Sequence, residues 1–228
     1  SMWPNPQSWA VISRGATPEQ AETILNTAYE KLNTPYGLEL MQPSYRHEYF
    51  EGARMRLFNP GTKENGGIFC QPQGWAILAE ALCGHGNRAF QYFRESSPAS
   101  FNDDADRRVI EPYVHGQFIE GHESPFAGRS HVHWLTGTAS TVMVGCVEGI
   151  LGLRPTAKGI EISPAIPSEW DGFTMEKVFR GKKLHITVDN SAHREGKPTK
   201  VILNGAERPA GLIGADELTD ENEITVVM

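Results

Sequence analysis

The sequence has no surplus of positive charge, no paired cysteines and no long apolar run. Lys and Arg number 21 against 28 Asp and Glu, a formal net charge of −7 with a pI near 5.6. Phosphate backbones reward basic patches, so no nucleic-acid partner is expected. The three cysteines, Cys70, Cys83 and Cys146, are an odd count without close spacing, and each sits among apolar neighbours. They read as reduced core thiols and point to the cytoplasm. No stretch reaches the roughly 18–20 apolar residues of a membrane span, so no membrane partner is expected either. The best candidate, TGTASTVMVGCVEGILGL, is broken by glycines and Glu148 and reads as a buried helix. The start, SMWPNPQSW, lacks the charged region and apolar core of a secretory signal. Ser1-Met2 resembles a cloning remnant, and the natural start is expected upstream.

What is present divides into two kinds of chain. The 228 residues, 39% hydrophobic and 21% charged, suit a soluble globular protein. Thr17-Pro18-Glu19-Gln20 carries a capping residue, a proline for the first helical position and a Gln that closes a capping box. Ala21, Ile24, Leu25, Ala28 and Leu32 then recur at helical spacing up to Thr34-Pro35. Further helices are expected over Gly74 to Leu82, from Asn87 as cap to Pro98, over about Glu111 to Glu120, and over about Thr138 to Leu151. The last of these is apolar nearly all round and expects neighbours on every side. After GLRP at 152–155, GIEISPAIP, FTMEKVFRG, KKLHITVDN, KVILNG and NEITVVM alternate apolar and polar residues between turn formers such as Gly181 and Asn204-Gly205. Residues 156–228 read as an antiparallel β-sandwich. The helices of 1–155 do not close a bundle and read as an arc of a larger helical assembly.

The series KENGGIF, EPYVHGQ, WLTGTAS, GILGLRP and PAIPSEWDGF with FRG, in that order, resembles the C-terminal third of the cellobiose phosphorylase family, the inverting glycoside phosphorylases. The resemblance runs through nearly the whole chain. It looks closest to the cellobionic acid phosphorylases, with β-1,2-oligoglucan phosphorylases and cyclic β-1,2-glucan synthases as relatives. It implies the later helices of an (α/α)6 barrel over 1–155, followed by a jelly-roll-like sandwich over 156–228.

An inverting hydrolase needs a carboxylic acid for the leaving oxygen and a carboxylate to activate water. Phosphate is already a nucleophile, so one acid and a cradle of donors suffice. By resemblance, phosphate contacts fall on Gln71, Gln117, Thr136 and Gly137. The family carries histidine where this chain has Gln71, and an amide keeps a donor but cannot carry charge. Gln117 is expected on the helix opened by Glu111-Pro112, and Thr136-Gly137 at a helix start suited to anions. Lys63 and Glu64 resemble the pair that hydrogen-bonds sugar hydroxyls, on a loop whose glycines let backbone approach the ligand. The general-acid Asp of the family lies upstream of this chain, so no catalytic residue is assigned and the piece alone is expected to be inactive. A gluconate acceptor would need a cation, for which Arg46, Arg54 and Arg56 are candidates.

No metal or organic cofactor is expected, only inorganic phosphate as co-substrate and a small saccharide. His131-Val132-His133 alternates like ligands on a strand but lacks a third ligand, so it is expected to line the sugar cleft. Asp103, Asp104 and Asp106 in NDDADRR read as a solvated turn. Trp134 is a candidate stacking platform for a sugar ring, and Trp75 a packing residue. Gly145-x-x-x-Gly149 reads as close helix packing. The open helical arc predicts self-association into a homo-oligomer. A non-catalytic carbohydrate-binding module is the alternative of a different class, disfavoured because 156–228 shows no cluster of exposed aromatics.

Overall fold

The computed structural model describes residues 1–46 and 54–228, which divide into two compact units. The first comprises Ser1–Ala79 and Gln91–Gly145, the second Glu80–Phe90 and Cys146–Met228. No helix among the described residues is long and apolar enough to cross a membrane.

The chain opens with α1 (Pro4–Ile12) and α2 (Pro18–Leu32). The capping box at α2 forms as its sequence dictates. The Thr17 hydroxyl accepts from the Gln20 amide at 3.3 Å, and the Gln20 side chain accepts from the Thr17 amide at 2.9 Å. Ala21, Leu25, Ala28 and Leu32 form the buried stripe of α2. A short hairpin of β1 (Asn33–Thr34) and β2 (Gly37–Leu38) follows, then β3 (Ile68–Phe69), α3 (Gln71–Cys83), α4 (Gly86–Ser96) and α5 (Ala105–Arg108). Next come β4 (Gly116–Ile119), β5 (Ser130–His133) and α6 (Thr138–Val144), and α6 runs on as a wider π-helical coil over Gly145–Ile150.

Close packing in the first unit turns on glycine. A Cβ on Gly74 would lie 2.3 Å from the Thr141 backbone, and one on Gly145 would lie 2.6 Å from the Gly74 carbonyl oxygen. The backbones of α3 and α6 therefore meet where any larger residue would force them apart. This accounts for Gly145 as a packing residue.

Two sequence expectations change. Residues 111–120 form no helix: Glu111-Pro112 is a helix-start signal, but Gly116–Ile119 is claimed by strand pairing on both sides. Ile68 pairs with Ile119 and Phe69 with Phe118, while Gly116 pairs with His133 and Phe118 with His131. Tertiary pairing overrides local propensity here. Asn87 does not cap α4; its side chain instead bonds Glu195 and the Ser168 amide at 2.9 Å each. On α6, Met143 is 67% exposed.

The second unit carries β6 (Leu153–Pro155), β7 (Gly159–Ile162), β8 (Gly172–Phe179), β9 (Lys182–Asp189), β10 (Lys200–Leu203), β11 (Ala206–Pro209), β12 (Gly211–Gly214) and β13 (Glu221–Val227). They form a sheet ordered β11-β10-β13-β9-β8 and another ordered β12-β7-β6. Leu184, Ile186 and Val188 alternate into the core, as do Ile224 and Val226, Ile160 and Ile162. Each such side chain contributes roughly 1.5–3 kcal/mol when fully buried. Arg180-Gly181 and Asn204-Gly205 both have positive φ, 49° and 79° in the first pair, 50° and 84° in the second. These are the two-residue turns that match strand twist. One pairing departs from the antiparallel expectation: β13 runs parallel to β9. The chain leaves the sheet for β12 before returning as β13, so it re-enters the sheet centre in the same direction as β9.

Candidate functional site

The loop 59–67 is held from inside. Asn65 is fully buried and makes three side-chain hydrogen bonds. It accepts from the Tyr45 amide at 2.7 Å and donates to the Tyr45 carbonyl at 3.0 Å and the Phe58 carbonyl at 2.8 Å. The Gly67 amide donates to the Lys63 carbonyl at 3.0 Å, closing a turn with Lys63 at φ 49°. A Cβ on Gly67 would sit 2.6 Å from that same carbonyl oxygen, and one on Gly61, at φ 79°, 2.4 Å from the Ser124 amide nitrogen. The close approach these two glycines allow is to the protein's own backbone.

This turn aims Lys63 at β4. Lys63 Nζ donates to Gln117 Oε1 at 2.9 Å and lies 4.7 Å from the centre of the Phe118 ring. Phe118 has a second neighbour. The His131 imidazole stacks on Phe118 at 4.8 Å with 9° between planes, and its Nε2 meets Glu120 Oε1 at 2.6 Å. The Ser124 hydroxyl donates to the second Glu120 oxygen. Glu64 has a buried Oε2 without a hydrogen-bond partner among the described residues. A buried acceptor left open is costly unless a donor arrives, so Glu64 is equipped to receive a hydroxyl.

Gln71 begins α3 directly after the Cys70 amide donates to the Gln117 carbonyl at 3.0 Å. That bond places the two glutamines at one end of the β3–β4 pair. The Gln71 carbonyl accepts from Thr141 Oγ1 at 2.9 Å, which ties α3 to the first turn of α6. A Cβ on Gly137 would lie 3.5 Å from Gln71 Nε2. Thr136 Oγ1 lies 2.6 Å from Thr138 Oγ1 and accepts from the Thr138 amide at 3.2 Å, while Thr138 Oγ1 donates to the Gly116 carbonyl at 3.3 Å. Lys63, Gln71, Gln117, Thr136 and Gly137 are therefore brought together from four separate stretches. Gln117 reaches the cluster from a strand, not from the helix its sequence suggested.

The remaining candidates lie apart from this cluster. Arg46 pairs with Glu123 at 2.7 Å and its side chain is largely exposed. Arg54 is exposed on a 3-10 turn, Arg54–Leu57, and the side chain of Arg56 lies outside the described residues. His131 and His133 do sit on a strand, but each faces its own glutamate, His133 lying 3.5 Å from Glu111. Among the described residues no three His, Cys, Asp or Glu side chains are placed to hold a metal ion. Trp134 is 69% exposed at φ 65°, donates to Glu111 at 3.3 Å and meets Tyr113 edge-on at 6.2 Å. Hydrogen bonds from backbone and from the Trp134 indole hold the Glu111 carboxyl below its usual range. Trp75 packs edge-on against Trp9 at 5.6 Å. The run 102–108 is not all solvated: Arg108 is buried. Sequence reading missed Glu120, Phe118 and Arg108, because none lies in a pattern that announces a role.

Residues 1–152 match the family described as "Glycosyl hydrolase 94 superfamily, catalytic domain", and residues 153–207 the "Glycosyl hydrolase family 65, C-terminal domain". Over 96% of its length the chain is 35% identical to the N,N'-diacetylchitobiose phosphorylase of Vibrio proteolyticus, of which it spans 27%. It is 30% identical over 91% of its length to the cellobionic acid phosphorylase of Neurospora crassa, spanning 26% of it. It is likewise 30% identical over 90% of its length to the cyclic beta-(1,2)-glucan synthase of Rhizobium meliloti, spanning 7% of that protein. The likeness to the diacetylchitobiose enzyme exceeds that to the cellobionic acid enzyme, which reverses the order suggested by sequence motifs.

Proposed function

The chain belongs to the glycosyl hydrolase 94 superfamily, and from that premise we propose that it forms the phosphate and glycosyl side of the active centre of an inverting glycoside phosphorylase. Gln71, Gln117, Thr136 and Gly137 cradle phosphate below the anomeric carbon, and Lys63 and Glu64 hold hydroxyls of the glycosyl unit. The observation that carries this is the convergence of Lys63, Gln117 and the Thr136–Gly137 turn from distant stretches of sequence.

In the reaction a phosphate oxygen attacks the anomeric carbon from the face opposite the glycosidic oxygen. The glycosidic carbon–oxygen bond breaks, and a carboxylic acid outside this chain delivers a proton to the departing oxygen. A β-glycoside thereby yields an α-sugar 1-phosphate and a free acceptor. Neutral amide and hydroxyl donors hold phosphate without drawing off its nucleophilicity. Lys63 lies between the two subsites, because its bond to Gln117 Oε1 at 2.9 Å leaves the Gln117 amide hydrogens to face the anion. In the whole enzyme this region completes an (α/α)6 barrel over about residues 1–155 and a sandwich domain over 156–228. The piece alone lacks the general acid and is inactive.

For the acceptor, the proposal is a neutral sugar such as the 2-acetamido sugar of diacetylchitobiose. Arg46 is already paired with Glu123, which weakens its claim on a carboxylate. A gluconate acceptor is the second reading, supported by the 30% identity to a cellobionic acid phosphorylase and by the exposed Arg54. A cytoplasmic setting accords with an odd count of three cysteines without close spacing. Self-association is supported by exposed Leu135 and Tyr113, and light scattering at micromolar concentration checks it. The functional test is phosphorolysis by the whole enzyme across diacetylchitobiose, cellobiose and cellobionic acid. Release of a sugar 1-phosphate that fails in Gln117→Ala supports the proposal, whereas hydrolysis without phosphate consumption overturns it.

A further inference from the structure

Arg108 is a charge that the cradle leaves unused. It ends α5, is 2% exposed, and its Nε and Nη1 are buried without a hydrogen-bond partner among the described residues. Phe101 lies 4.6 Å and Tyr36 5.9 Å from its Cζ, so aromatic rings cover the guanidinium. Tyr36 in turn packs on Ile68, Cys70 and Ile119. That cluster is the back of the β3–β4 pair, whose ends carry Gln71 and Gln117. Among the described residues, His115 Nδ1, just before β4, and Ser130 Oγ, on the neighbouring strand β5, are also buried without partners. Asp104, the carboxylate that acts on Arg108, is bonded to Arg107 at 2.8 Å and partly exposed. Cys70 supplies no counter-charge, because burial pushes its thiol up to about 12.

A guanidinium keeps its proton even when buried. A buried cation without a partner is strongly unfavourable, and the fold tolerates it only where something repays the cost. The low dielectric that makes the charge costly also carries its field further than water would.

We propose that Arg108 is the fixed positive charge of the phosphate cradle, acting through the β3–β4 pair on the bound anion. It touches no substrate. It supplies the potential that the neutral amide of Gln71 does not, and the phosphate is its counter-charge. This rests on the phosphate reading of the cradle.

The experiment is thermal unfolding of this chain, titrated with inorganic phosphate against chloride at matched ionic strength. In the parent chain phosphate raises Tm. Arg108→Met, which removes the buried charge, is expected to unfold at a higher temperature without phosphate, and its phosphate-induced rise should fall to about half or less. Its phosphate affinity should drop about tenfold. Arg108→Lys keeps the charge and should retain most of the response, which a purely packing role would not predict. Arg108→Gln repeats the neutral test should the Met variant fold poorly. An undiminished response in both neutral variants overturns the inference and leaves the cradle standing. No phosphate response in the parent chain overturns the cradle reading and this inference with it.

Discussion

Replacing Asn65 with Ala removes the side chain that fixes the Lys63–Glu64 turn. Three hydrogen bonds go with it, to the amide and carbonyl of Tyr45 and the carbonyl of Phe58, at 2.7, 3.0 and 2.8 Å. Asn65 has no exposed surface, so water does not replace them without opening the loop. At about 1 kcal/mol net per bond, with an added cost for backbone groups stranded out of water, the loss comes to about 3–5 kcal/mol. That is a large share of the roughly 5–15 kcal/mol that holds a domain together. For a chain of this size it lowers Tm by ~6–20 °C. Two compact units need not unfold in one step, so amide exchange at Tyr45 gives the local readout beside urea unfolding. Exchange there should accelerate by two orders of magnitude or more, at ~1.4 kcal/mol per factor of ten. A stability loss under about 1 kcal/mol, with Tyr45 exchange unchanged, would refute the claim that Asn65 holds the turn.

Other outcomes follow from the same geometry. Gly74→Ala sets a Cβ 2.3 Å from the Thr141 backbone and should cost about 3 kcal/mol or more in urea unfolding, by prising α3 from α6. Gly137→Ala meets Gln71 at 3.5 Å, an ordinary contact, so stability should hold within about 0.5 kcal/mol. Phosphate binding by calorimetry should nevertheless weaken as the cradle narrows. Burial pushes the Cys70 thiol up to about 12 and the Cys146 thiol up to about 11, so both should resist alkylation at pH 8 until the chain unfolds. Burial, and secondarily the Arg108 charge, hold His115 below its ordinary value of 6.5. The unfolded chain then binds the proton first, so this contribution is full above pH 6.5 and fades as pH falls through that value toward the folded one. Relative to His115→Asn, the parent should lose up to ~1.4 kcal/mol per pH unit in that window, measured by urea unfolding at stepped pH.

The strands of the second unit were legible because each is half-buried: Leu184, Ile186 and Val188 alternate with exposed residues, and the Gly-bearing turns between strands have one favoured geometry. The three edge strands not anticipated, β6, β11 and β12, carry no such alternation of large apolar residues. The capping box of α2 is local chemistry and formed as read. Gln117 was expected on a helix and lies on a strand, since a strand of four residues is decided by Ile68 and His131, distant in sequence. Arg108 escaped notice because a charge inside NDDADRR looks solvated, and only the fold stacks Phe101 and Tyr36 over it. The arrangement of Lys63, Gln117 and Thr136 was expected from motif order and not from any periodicity.

The central claim is tested most directly by the structure of this chain crystallised with inorganic phosphate. The anion is expected within hydrogen-bond distance of the Gln71 and Gln117 amides and the Thr136–Gly137 turn, beside Lys63. Phosphate bound elsewhere, with this cluster holding only water at saturating concentration, would contradict it.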